Sequence, residues 1–114
     1  MINKEKRRQR FLRDPLPVRL GGLSATLGRI SSSAREAENP AIVLDLLDEA
    51  RHLIEWTAAE AEPEIAAELA QTQRLLTLWQ KAWVKASADK YQRTLLSTQA
   101  KDWSDKALQY SGLI

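Results

Sequence analysis

The chain has no cysteine and a single histidine. Without thiols there is no disulfide scaffold, thiolate zinc site, redox CxxC pair or cysteine nucleophile. Four glycines and four prolines among 114 residues are too few for a collagen-like or low-complexity chain. A hydrophobic content of 44% argues against disorder throughout. No period-two alternation lasts long enough for a strand; Val18-Arg19-Leu20-Gly21 comes nearest and is too short. No run approaches the roughly 18 to 20 apolar residues of a membrane-spanning helix. The basic start, Lys4 to Arg10, is not followed by an apolar stretch of signal-peptide length. What remains is one domain's worth of sequence, with no membrane span expected and the cytoplasm as its default location.

The net charge of +2 conceals strong segregation. Residues 1–20 carry a net +5 and residues 21–35 a net +2, while residues 36–68 hold ten acids against Arg51 alone. The remainder is again basic, at +4. Such asymmetry points to complementarity within the molecule or to a partner surface, and a solvated charge run is the alternative.

Punctuation and period define four helices. Asp14-Pro15-Leu16-Pro17 is a boundary, because proline disfavours helix at the residue before it. After it, Leu16, Leu20, Leu23, Leu27, Ile30 and Ala34 recur at spacings of four and three, the seam of a packed helix. Asn39-Pro40 predicts an N-cap and first turn, followed by the face Val43, Leu46, Leu47, Ala50, Leu53, Ile54 and Thr57. Glu62-Pro63 opens a third seam through Ile65, Leu69, Thr72, Leu76, Trp79, Trp83 and Ala86. Thr57 to Glu60 also reads as a capping box, so this helix could instead start early and bend at Pro63. Asp89, with Gln92 three residues on, caps a fourth helix whose face is Leu95, Leu96, Gln99, Trp103, Ala107 and Tyr110, and Gly112 is its stop. The expected fold is all-α: an antiparallel up-down-up-down four-helix bundle over residues 15–114, preceded by a basic arm over residues 1–14. A three-helix arrangement with a long bent hairpin is the alternative.

Gly21, Ala25, Gly28 and Ser32 form a stripe of small residues beside the leucine seam. A mid-helix glycine costs about 0.5–1 kcal/mol relative to alanine, so a close helix contact has to offset it. That contact could come from the same chain or from a second copy in a homodimer. Packing within the chain is the favoured reading, a second copy comes next, and a kink or break at Gly21-Gly22 is the third.

Few residues suggest chemistry. Glu49 and His52 form a Glu-x-x-His pair, half of the di-iron carboxylate motif, but no second histidine exists to complete it. Asp45, Asp48, Glu49, His52 and Glu55 lie beside or opposite the apolar face and should point to water. Phosphate loops, dinucleotide fingerprints and a Gly-x-Ser-x-Gly elbow are missing, and Ser31 to Ser33 have no nearby histidine in sequence. No enzyme activity, metal or cofactor is expected.

Trp79, Trp83 and Trp103 fall on seams and should pack in the core with each indole N–H finding a partner. Trp56, at the edge of its helix's face, is either a helix-end anchor or an exposed contact residue. Arg7, Arg8, Arg10 and Arg13, with Phe11 and Leu12, make the arm basic and weakly amphipathic. Such an arm could track nucleic-acid phosphates, lie on an anionic membrane, dock on an acidic protein, or fold back on the chain's own acidic block.

The stretches Arg10 to Leu23 and Ile54 to Ala58, with Ser111-Gly112-Leu113, resemble a group of small conserved helical proteins of cyanobacteria. The resemblance implies a soluble helical protein of a photosynthetic bacterial cytoplasm and brings no activity or site residues. The expected function is a non-enzymatic protein–protein interaction module, adaptor or regulatory. Its candidate contacts are Arg7, Arg8, Arg10, Phe11, Arg13, Gly21, Ala25, Gly28 and Trp56. A nucleic-acid-associated protein using the arm is the alternative.

Overall fold

Prolines set most of the helix starts. A computed structural model describes residues 3–113, so Met1 and Ile2 of the arm lie outside the described residues. It contains five helices: α1 (Lys4–Leu12), α2 (Leu16–Ala34), α3 (Pro40–Ala58), α4 (Pro63–Ala86) and α5 (Lys90–Ser111). The described residues are 84% helical, with no strand among them. Pro40 and Pro63 each occupy the first helical position, where a missing N–H leaves no bond unmade. Asp89 caps α5 by accepting from the Tyr91 backbone N–H, and Gly112 ends it in the left-handed region at φ 71°. Asn39 stands at the predicted N-cap of α3, but its side chain makes no capping bond. Thr57 caps nothing either: it is buried inside α3, whose last residue is Ala58, so the early-starting bent helix does not form.

The predicted seams are the core. Leu20, Leu23, Leu27, Ile30 and Ala34 of α2 are all at most 2% exposed. They meet Val43, Leu47, Ala50 and Ile54 of α3, Leu69, Leu76 and Trp83 of α4, and Leu96, Ala100, Trp103 and Ala107 of α5. Helix α2 is the hub: it packs most extensively on α5, then on α3, while α3 covers α4 and α4 touches α5 only lightly. The radius of gyration, 13.7 Å, is close to the value of about 13 Å usual for a packed domain of this size. The glycine pair at 21 and 22 does not break α2, which runs unbroken to Ala34.

Two expectations about side chains need correction. Trp79 does donate its indole N–H to Gln99 Oε1 at 2.8 Å, but the fully buried Trp83 indole N–H has no partner among the described residues. The ring is enclosed in the apolar core cluster, which offers the indole no acceptor among the described residues. The small-residue stripe, moreover, runs one residue to the side of the one read from the sequence. Ala25 and Ser32 are exposed, whereas Ser24 and Ser31 are buried against α5. A Cβ on Gly28 would meet Ser104 Oγ at 3.4 Å, and one on Gly21 would meet Leu113 Cδ1 at 3.1 Å. Gly21 and Gly28 therefore face their own chain.

Candidate functional site

Most of the sequence-derived contact residues lie on or under α1. This helix is nine residues long, too short to hold its shape alone in water. Asn3 caps it through a hydrogen bond from the Lys6 backbone N–H, and α3 supports it from below. Spacings of three and four divide its cations between two faces. Lys4, Arg7 and Phe11 turn toward α3: Lys4 Nζ lies 3.6 Å from Asp48, Arg7 pairs with Glu49, and the Phe11 ring sits 5.9 Å from Trp56 at a 54° tilt. Lys6, Arg10 and Arg13 line the opposite face, exposed and without an ion pair among the described residues. Arg8 pairs with Glu5 along the helix at 3.3 Å.

Of the four alternatives for the arm, folding back on the acidic block is the one this geometry realises. No α1 residue is buried, but the half-buried Phe11 packs against the core cluster. In consequence Asp48, Glu49 and His52 do not point freely to water. Glu49 is only 17% exposed and serves three helices, bonding Arg7 of α1 together with Arg29 and Thr26 of α2 at 3.1 and 2.9 Å. His52 places Nδ1 2.8 Å from the Asp48 carbonyl and Nε2 3.4 Å from Lys4 Nζ. A carbonyl only accepts, so Nδ1 carries the proton and Nε2 accepts from Lys4 when the ring is neutral. Partial burial pushes the Asp48 carboxyl up, but the Arg51 hydrogen bond, the charges of His52 and Lys4, and the Gln80 hydrogen bond together hold it below the ordinary carboxylate range.

Trp56 is half-buried between Phe11 and His52, with ring centroids 5.9 and 5.7 Å away. It is the anchor on which α1 rests. Its carbonyl accepts from Arg19, which is 5% exposed, at 3.4 Å. Arg19 also donates to the Asp14 carbonyl at 3.0 Å and pairs with Glu60, fastening the α1–α2 corner to the end of α3. Nothing in the sequence pattern marked this buried cation. Beside these residues, between α1 and α3, lies a cleft of about 260 Å³ reaching Asp45 and Leu46.

A second cleft, of about 220 Å³, opens where α4 and α5 splay, with Leu27, Leu69, Thr72, Leu75 and Trp103 in its walls. At its edge the Tyr110 hydroxyl donates to Glu68. Burial, that hydrogen bond, and the charges of Glu68 and Asp102 push the phenol up to about 12. Among the described residues no three His, Asp or Glu side chains gather as metal ligands, and no helix is long and apolar enough to cross a membrane. Comparison with protein-family models, with curated proteins and with solved structures finds no match to this chain.

Proposed function

We propose that the chain is a non-enzymatic protein-interaction module in which α1 presents a basic face to an acidic partner. Helices α2 to α5 act as its scaffold, an antiparallel up-down-up-down bundle. The register supports that arrangement: Ser24 pairs with Ser104 and Ser31 with Ser97, while Thr26 bonds Glu49 and Arg19 reaches Glu60. A cytoplasmic location belongs to the same proposal.

The observation that carries the reading is the division of cations on α1. Lys4 and Arg7 are spent on Asp48 and Glu49, yet Lys6, Arg10 and Arg13 remain without an ion pair among the described residues, on a segment that is already helical through Leu12. Binding to a preformed helix avoids much of the ordering cost a flexible arm would carry. The same stripe could track phosphates, which keeps nucleic acid as the second reading. Phe11 turns inward onto Trp56 and so offers no stacking platform, which favours the protein partner.

Reversing the stripe with Lys6→Glu, Arg10→Glu and Arg13→Glu tests this. A partner captured by the native chain should survive nuclease treatment and disappear with the triple variant. If binding vanishes on nuclease treatment, and its log-log salt slope approaches about −0.9 for each phosphate contacted, the nucleic-acid reading replaces it. Capture unaffected by the triple variant would remove α1 as the contact.

A further inference from the structure

The surface under α1 has a specificity of its own. Asp45, Asp48, Glu49, His52 and Trp56 fall on successive turns of α3, with acids at one end and an aromatic ring at the other. Against it α1 sets a complementary series, a cation at position 4, another at 7 and a phenyl ring at 11. We propose that this face of α3 is an exchangeable docking site for a basic amphipathic helix of another protein, and that α1 occupies it as an internal stand-in. The proposal goes beyond the preceding one, which concerns the opposite face of α1.

Three observations support it. First, α1 holds on lightly: it has no fully buried residue, and Lys4 and Arg7 keep 62% and 38% of their side chains exposed, a setting in which ion pairs contribute little. Second, α1 does not fill the site. The 260 Å³ cleft remains beside it, and Asp45, which lines that cleft, makes no ion pair among the described residues. A longer basic helix would reach Asp45 and Leu46, which α1 leaves unmatched. Third, release of α1 need not disturb the bundle, because Arg19 grips the Asp14 carbonyl and keeps the α1–α2 corner in place. The net −9 of residues 36–68 selects for a cationic occupant. The tether gives α1 an effective concentration of about millimolar, so a partner helix has to bind well below that range to displace it.

The test uses a fluorescein-labelled peptide with the sequence of residues 3–13 and the full-length chain. If α1 is docked nine-tenths of the time or more, the Arg7→Ala/Phe11→Ala variant should bind the peptide at least about tenfold tighter than the native chain. Asp48→Asn in that background should weaken the binding. A scrambled peptide of identical composition should bind poorly, because the cation and aromatic spacing is lost. Hydrogen exchange on the native chain guards against a misfolded variant: added peptide should speed exchange of the α1 amides alone. Equal affinity for native and variant chains, equal binding of the scrambled peptide, or unchanged α1 exchange would each overturn the proposal. A dimer of the native chain that dissociates on Phe11→Ala would instead assign the site to α1 of a second copy.

Discussion

Ser24 and Ser104 each donate a hydroxyl hydrogen bond to the other's backbone carbonyl, both at 2.8 Å. Ser31 and Ser97 repeat the exchange seven residues along α2, again at 2.8 Å in both directions. With Gly28 between them facing Ser104, these pairs let two helix backbones approach more closely than leucine would allow. Ser24, Ser97 and Ser104 lie inside their helices, so their carbonyls keep an intrahelical N–H when the opposing hydroxyl is removed.

Replacing either inner serine should therefore be mild when the change is small and severe when it is large. Ser31→Ala or Ser97→Ala should cost about 1 kcal/mol, the net value of a hydrogen bond. Ser97→Leu should overpack the contact and cost about 1–3 kcal/mol. Urea unfolding of the three variants decides it. Similar losses for alanine and leucine would mean that the helices are not closely packed there.

The glycines of α2 should respond in opposite senses to side-chain size. Gly22→Ala places its methyl 3.9 Å from Phe11 and should stabilise by about 0.5–1 kcal/mol, the helix-propensity gain. Gly21→Ala meets only the tip of the exposed Leu113 side chain, which can swing aside, and should gain a similar amount. Gly28→Leu should instead cost about 1–3 kcal/mol against Ser104. Gly112→Ala, at a left-handed φ, should cost roughly 1–2 kcal/mol. Melting temperatures give the sign in each case.

Removal of α1 should not be silent. Phe11→Ala withdraws a half-buried ring from Trp56 and should cost about 1–2 kcal/mol. Deletion of residues 1–13 should lower the melting temperature at least as far, measured by calorimetry beside the native chain. An unchanged melting temperature for both would mean that α1 contributes nothing to stability.

Asp48 and Tyr110 each contribute a pH dependence to stability. Asp48 is held below its ordinary range in the folded chain, so its contribution is present above about pH 4 and is lost as pH falls through the folded value. Tyr110 is raised to about 12, so its contribution is complete below about pH 10 and is lost as pH climbs toward 12. Asp48→Asn should flatten the acid limb of stability against pH, and Tyr110→Phe the alkaline limb. Variant curves parallel to the native one would refute the assignments.

The scaffold was legible in the sequence because proline and apolar spacing are local signals. Pro40, Pro63, Asp89 and Gly112 mark helix ends within a residue, and the leucine seam of α2 is the seam that is buried. The candidate site was legible as a charge imbalance and as Trp56 at the edge of its helix's face, but not as a set of pairings. Which α1 cations face α3 depends on the phase at which a short helix lands, and that is fixed by Phe11 meeting Trp56 across 45 residues of chain. The serine pairs did carry a signal, a seven-residue repeat at 24 and 31 matched by 97 and 104, but glycine drew attention to the neighbouring stripe. Arg19 was hidden inside an otherwise ordinary leucine repeat.

The dominance of α2–α5 packing has a consequence for how the protein is made. Ser24 and Ser104 are 80 residues apart, so α2 leaves the ribosome long before the helix that covers it exists. During that interval α3, joined by a short link, can shield only one side of the leucine row, and the side meant for α5 stays open to water. Closing a loop of this length is easier once α3 and α4 have packed together, which places α5 docking late in folding. Nascent chains stalled before residue 90 should expose that side and recruit hydrophobic-binding chaperones, whereas chains released with α5 complete should not.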